Sequence, residues 1–374
     1  MTSRQGHGRG GGLSTAFWVA TGGLVALFVL GEGARWGLRL PWWLEAVAIG
    51  HGLLGLAVLA CAGAAALSRS WVAAAGLIAV WALAAAPWGG GGAGEREDIF
   101  QILSLNAGGR ALAFETSERI RALADQRGIE VIAWQEHDIR YPDDASYGSA
   151  STLQPIVRGG LYTSPRPVDS LGRPPRGIVH LANPVLTVLP WVRQSQPRLA
   201  SDLPEHEQSP YTRAVLEWDG REIAVYNVHL ASYPGERPWR DDIGGGLRGW
   251  GRFLRTIGPT AARRAAEAQA LRGVLGREPR PFLVVGDLNS APGQEAYEIL
   301  SDGLTDVLET AGSWPGFTFH ARIPFVRIDH VLASPHWEVV DADVLGDLSS
   351  DHRAVVASLR LRSVSSPQAR SPSD

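Results

Sequence analysis

Carboxylates, amides and imidazoles recur in this chain at the places where short apolar runs stop. Asn106 follows the run ILSL, Glu136 follows VIAWQ, and His229 lies in VYNVHL. Asp287 and Asn289 follow FLVVG, Asp329 lies in RIDHVL, and the pair Asp351-His352 precedes AVVASL. The strands of one sheet bury their middles and expose their ends, so residues of these types can converge on one rim. There they would form a hard, oxygen-rich metal site beside two imidazoles. Any one of them alone is accounted for by a cap or a turn; six such positions in one stretch are not. His330 and His137 neighbour these residues, but strand alternation or turn position points them away, and both are set outside the site. The single cysteine, Cys61, excludes an intrachain disulfide framework and any Cys-cluster zinc site.

The elements that must carry these residues are legible in outline. Phe100–Leu105 reads as a buried strand, Thr116–Arg127 as a helix stopped by Gly128, and Ile129–Trp134 as a strand. Ala214–Trp218 and Glu222–Leu230 flank Asp219-Gly220, a hairpin signal. Thr260–Leu275 is helical; Pro281–Val285, Arg327–Ala333 and Ala354–Arg360 are strands. Mixed strands and helices over this length imply a layered α/β domain at residues 98–362, followed by a polar tail at 363–374.

The first 88 residues are different in kind. After a tail at 1–12, the runs Leu13–Leu30, Ala46–Leu67 and Trp71–Trp88 carry no charge and are each 18 to 22 residues long. Such runs suit three transmembrane helices at 13–88. Trp36, Trp42, Trp43, Trp71 and Trp88 sit at their ends like an interfacial aromatic belt. A Gly-rich linker at 89–97 follows. Arg4, Arg9 and Arg69 balance Arg35, Arg39 and Arg96 across such a membrane. The N-terminal pair breaks the tie towards an N-inside, multi-pass protein of the cell membrane with an extracytoplasmic C-terminal domain. Glu45 and His51, at the start of the second run, read as an interfacial carboxylate and a bundle-facing imidazole.

The ordered set LSLNAG, AWQEHD, YNVHL, VVGDLNS, RIDHVLAS and SSDHRAVV resembles the endonuclease/exonuclease/phosphatase superfamily, whose fold is deoxyribonuclease I-like. The N-terminal runs look like those of membrane-anchored bacterial members, among them proteins associated with glycopeptide resistance. The resemblance implies a four-layer α/β/β/α sandwich and cleavage of phosphate esters with Mg²⁺, for which Mn²⁺ would substitute. It implies metal-binding roles for Asn106, Glu136 and Asp351. Asp287 would position or deprotonate the attacking water, and Asn289 would orient the phosphate. His229 and His352 would donate to phosphoryl oxygens, and Asp329 would pair with His352 and keep it cationic. YNVHL departs from the nuclease branch, which has a Tyr and a loop Asn in that stretch, and stands nearer the deoxyribonuclease I, sphingomyelinase and phosphatase types.

Substrate class is argued from charge and from one insertion. All 35 basic residues are Arg, and the chain carries a net charge of -3. Between 97 and 362 there are 28 Arg and 34 acidic residues, a net of -6, which argues against a protein that gains affinity by neutralising nucleic-acid phosphates. The stretch Glu236–Gly258 mixes Trp239, Trp250, Phe253 and Leu254 with Arg240, Arg248 and Arg255, as a segment resting on a membrane or closing over an amphiphile would. Arg213 is a candidate anion clamp; Trp239 and Trp250 are candidate substrate contacts. The expectation is a membrane-anchored phosphoesterase acting on a lipid-linked phosphate or pyrophosphate, with membrane lipid as its partner. A membrane-tethered extracytoplasmic nuclease is the alternative, and a catalytically inactive membrane scaffold a second one.

Overall fold

A computed structural model of the chain describes residues 13–35, 45–68, 70–85, 98–108, 114–136, 138–141, 162–165, 167–168, 179–199, 204, 208–233, 246–312, 316–322, 324–346 and 348–362. The tails at 1–12 and 363–374 and the linker at 89–97 lie outside the described residues.

Two mixed sheets stack face to face. One runs β12 (Trp337–Leu345), β13 (Ala354–Leu361), β1 (Phe100–Asn106), β2 (Val131–Gln135), β5 (Val185–Thr187). The other runs β10 (Thr305–Asp306), β11 (Asp329–Ala333), β9 (Phe282–Asp287), β8 (Arg221–His229), β7 (Thr212–Trp218), β6 (Trp191–Ser195). A further ladder pairs β3 (Asp138–Tyr141) with β4 (Val179–Ala182). Helix α4 (Phe114–Arg127) covers the first sheet, burying Ile120 and Ala124 against Leu103, Leu105, Ile132 and Trp134. Helices α5 (Gly246–Leu275) and α6 (Glu295–Ser301) cover the second, through Ala268, Leu271, Leu275, Tyr297 and Leu300. The expected α/β/β/α order is therefore present. The short helix α7 (Val307–Thr310) is capped by Asp306, whose side chain accepts from the amides of Leu308 and Glu309.

Side-chain alternation of two decides which residues meet between the sheets. Phe100 and Ile102 of β1, Val131 and Ala133 of β2, Ile223 and Val225 of β8, Leu283 and Val285 of β9, and Val331 and Ala333 of β11 all face inward into one cluster. Continuing each strand by two-residue steps puts Asn106, Gln135, Asn227, His229, Asp287 and Asp329 on the same inner face. Gln135 and Asn227 join the two sheets directly. Gln135 Nε2 donates to Asn227 Oδ1 at 2.6 Å, and Asn227 Nδ2 reaches the carbonyls of Trp134 at 2.8 Å and of Asn183 and Pro184 at 3.0 Å. Between β8 and β9 only glycine fits at 286: its φ is +133°, and a Cβ there would lie 2.0 Å from the Val228 carbonyl oxygen.

Several elements differ from the sequence reading. Helix α5 begins at Gly246 rather than Thr260 and runs through Pro259, so the second half of the 236–258 insertion is helical. Strands β3, β4, β5, β6 and β12 were not foreseen, because their short runs lack a sustained period-two pattern; in β12 the register shifts between Val339 and Asp341. At the N-terminus, α1 (Thr15–Arg35), α2 (Glu45–Leu67) and α3 (Trp71–Ala85) form where three spans were expected. They pack through Phe28, Val58, Ala62 and Leu77. The expectation of transmembrane helices is not supported, however: among the described residues no helix is long and apolar enough to cross a membrane. The 15 described residues of α3 rise about 22 Å against a hydrocarbon core of about 30 Å, and Thr21, Gly22 and Gly23 dilute the middle of α1.

The Gln135–Asn227 clamp yields a test. Asn227→Leu keeps the volume but takes one donor from the Trp134, Asn183 and Pro184 carbonyls and leaves Gln135 Nε2 only its longer contacts to Ser104 Oγ and the Ala133 carbonyl. It should lower unfolding free energy by about 2–4 kcal/mol in urea titrations, while a surface change such as Glu217→Gln should leave it within about 0.5 kcal/mol.

Candidate active site

The site is built where β1, β2, β8, β9, β11 and β13 end. In the first sheet the parallel register pairs Asn106 with Gln135, so Asn106 and the following Glu136 stand side by side. In the second sheet His229 pairs with Asp287, and Asp287 with Asp329, across neighbouring strands. His352 enters from the turn before β13.

Asn106 is fully buried and ties the two sheets' carboxylates together. Its Nδ2 donates to Asp287 Oδ2 at 2.9 Å and to Glu136 Oε1 at 3.4 Å, while its Oδ1 accepts from the Gly108 amide at 2.8 Å. His229 Nε2 lies 3.7 Å from Glu136 Oε1 and 3.6 Å from Asp287 Oδ2, and among the described residues this buried nitrogen has no hydrogen-bond partner. Asp287 Oδ1 accepts from the Asn289 amide at 2.7 Å, and Asn289 Nδ2 donates to the Leu230 carbonyl at 3.0 Å. Glu136 and Asn289 both hold left-handed backbone, with φ of +55° and +47°. Such strain in non-glycine residues is retained where a side chain has to be aimed.

His352 and Asp329 form a closed pair. His352 Nδ1 lies 2.9 and 3.1 Å from the two Asp329 oxygens, and its Nε2 faces Asp287 Oδ2 at 3.9 Å. The Asp329 amide donates to Thr318 Oγ1 at 3.1 Å, and the Phe319 ring lies 4.9 Å from the His352 ring. Burial works against the imidazolium, but Asp329, with Asp287 and Asp351 behind it, overcomes that effect and pushes His352 up to about 10. That value keeps His352 protonated at neutral pH.

Asp287, Asp329 and His352 each offer a ligand atom within 4.8 Å of one another, a cluster able to hold a metal ion. The donor chemistry divides it. Asp329 is wholly buried and both its oxygens already serve His352, whereas Asp287 and Glu136 flank the orphaned His229 nitrogen. A hard cation between Asp287 and Glu136 fits the two carboxylates and relieves their repulsion, and Asn106 would join it only through Oδ1, the atom that here accepts from the Gly108 amide. Asp351 stands close by: a Cβ on Gly108 would lie 2.4 Å from its Oδ1, so glycine at 108 makes room for that carboxylate beside Asn106.

Three further expectations are changed or left open. Arg213, expected to clamp an anion, is committed to Glu278 and to the Tyr226 hydroxyl, whose distance from Arg213 Nε is 3.0 Å; it sits on the outer face of β7, where the ion pair satisfies it. Trp239 and the side chain of Trp250 lie outside the described residues. Phe253, read as part of a lipid-facing insertion, is buried, with its ring 5.2 Å from that of Tyr233. His330 faces away from the site, as alternation requires, between Asp306 and the Ser290 carbonyl. The sequence reading missed Thr318, Phe319, Gln135 and Asn227. Asn227 stood in the YNVHL motif two residues before His229, so the period of two could have placed it on the same face.

These features define a cluster of carboxylates, amides and imidazoles at the strand ends between two stacked sheets of an α/β sandwich. Residues 103–352 match the model of the Endonuclease/Exonuclease/phosphatase family, and the chain belongs to that family. Among curated proteins none matches it. It is similar to the solved endonuclease/exonuclease/phosphatase from Bacteroides vulgatus, at 17% identity over 71% of this chain and 100% of that one, TM-score 0.47. The Beutenbergia cavernae protein of the same description is 19% identical over 71% of this chain and 72% of that one, TM-score 0.47. D. rerio TDP2 complexed with single strand DNA product is 13% identical over 70% of this chain and 99% of that one, TM-score 0.48.

The raised His352 makes a pH prediction. Its folded state holds a proton that the unfolded chain releases near 6.5, so its contribution to stability is complete below that pH and is lost as pH rises through about 10. In metal-free buffer the urea midpoint should fall between about pH 6 and 10, and His352→Gln should flatten that fall. Equal slopes in the two proteins would show that the pair is not an ion pair.

Proposed function

We propose that the protein is a Mg²⁺-dependent phosphoester hydrolase. The observation that carries this reading is His229 Nε2, left without a partner among the described residues and aimed between Glu136 and Asp287, with a cationic His352 facing the same Asp287 oxygen: a pair of donors that a phosphoryl oxygen would satisfy. Glu136, Asn106 and Asp351 would hold the metal with Asp287 alongside. The ion would supply Lewis-acid stabilisation of charge on the phosphoryl group. Asp287, fixed by Asn106 and the Asn289 amide, is placed to orient water and take its proton. His352, held by Asp329, donates from Nε2 to an oxygen whose charge grows in the transition state, and His229 does the same from the other side.

We further propose a lipid-linked phosphate or pyrophosphate as substrate, presented at a membrane by the N-terminal helices, with the catalytic domain on the extracytoplasmic side. Support comes from apolar side chains left in the open there: Val19 is 71% exposed, Leu67 89% and Val72 90%. The net charge of -6 between 97 and 362 supports a lipid rather than a nucleic acid. The anchor reading rests on this exposed surface and on the uncharged runs of sequence.

Two experiments test these proposals. Chelation should abolish hydrolysis of a small phosphodiester, Mg²⁺ or Mn²⁺ should restore it, and Glu136→Ala should lower kcat at least about 100-fold without unfolding the protein. Full activity in EDTA would end the reading. For the membrane, the full chain should float with lipid vesicles. Changing Val19, Leu56 and Val72 to Asp should weaken that partition at least about tenfold while turnover of the soluble diester is unchanged. Plasmid nicking that outpaces the lipid reaction and falls steeply with salt would select the nuclease instead.

A further inference from the structure

Helix α5 reaches the back of the site with two buried charged residues. Arg264 is 1% exposed and Glu267 fully buried. Arg264 Nη1 donates to the Asn289 carbonyl and lies 3.4 Å from Ser290 Oγ, and its guanidinium lies 4.6 Å from the centre of the Tyr233 ring. Glu267 Oε2 accepts from the Ala231 amide at 2.8 Å, while its Oε1 accepts from Ser209 Oγ at 2.7 Å and from Arg263 Nε at 3.1 Å. The Asn289 side chain closes the circuit through the Leu230 carbonyl. One helix therefore holds both the backbone that follows His229 and the backbone that follows Asp287.

This is a costly way to stabilise a fold. Among the described residues Arg264 Nε and Nη2 have no hydrogen-bond partner, and a buried guanidinium that gives few hydrogen bonds returns less than its desolvation takes. What the arrangement secures is position. The carbonyl that Arg264 holds belongs to a residue in left-handed backbone, and the amide of that same residue points at Asp287 Oδ1. We propose that Arg264, assisted by Glu267, is a positioning residue for the reaction. It fixes the 287–289 turn so that Asp287 keeps its orientation, and Glu267, on the same helix, keeps that turn in step with the backbone after His229. The inference rests on the phosphoesterase reading, and it adds residues that touch no reacting atom.

The test uses the full chain with Mg²⁺ and bis(p-nitrophenyl) phosphate. Arg264→Met should lower kcat at least about 30-fold with KM within about threefold, and Arg264→Lys, which can still donate to the carbonyl, should recover to within about fivefold of the wild type. Without substrate or metal, hydrogen exchange at 229–233 and 287–291 should rise in Arg264→Met while the rest of the domain keeps its protection. Unchanged exchange there or a loss confined to KM would overturn the proposal. A wild type inert on every phosphoester would sink the functional reading alone, since exchange still decides the positioning role. If Arg264→Met does not fold, Arg264→Gln, too short to reach the carbonyl, is read in the same way.

Discussion

The Gln135–Asn227 contact is the constraint on which the site depends. Two stacked sheets held only by apolar side chains can slide by fractions of a contact at little cost, because dispersion and burial have no direction. Hydrogen bonds do. With Gln135 Nε2 on Asn227 Oδ1 and Asn227 Nδ2 on three carbonyls, the end of β2 is locked to the end of β8. Glu136 is the next residue after Gln135, and His229 lies two after Asn227, so the same contact sets the space between a carboxylate and an imidazole that come from different sheets. Asn106 repeats the device one strand over, bridging Glu136 and Asp287 with a single amide.

Charge is distributed by layer. On the inner face, carboxylates and imidazoles are packed with unspent donors and acceptors, as at His229 Nε2. On the outer face of the second sheet, two charge clusters are closed into pairs. Burial alone would raise Asp306, but Arg327 holds it well below the usual carboxylate range, with Tyr297 and His330 adding hydrogen bonds. Arg213 and Glu278 close in the same manner, and that is why an arginine that looked available for an anion is not. Saturated networks stabilise; the unsaturated cluster is where a ligand has something to gain.

The polar residues at strand ends, their order along the chain and their membership of one inner face follow from local rules. Alternation of two places Asn106, His229, Asp287 and Asp329 together and His330 apart without any knowledge of the fold, and apolar periodicity locates β1, β8, β9 and α4. Tertiary structure decided what local rules do not encode. The partner of Arg213 is 65 residues away, at Glu278. The fate of Phe253 turns on whether helix α5 starts early enough to carry it under Tyr233. Long uncharged runs specify helices, but whether those helices reach membrane length depends on where each one starts and stops. The role of Arg264 was likewise invisible, because a helical arginine reads as solvated until a carbonyl from a distant turn is seen to occupy it. Secondary structure and face are set by neighbours in sequence, whereas ion pairing, burial of a given aromatic and the spacing between sheets are set by chain segments that meet only on folding.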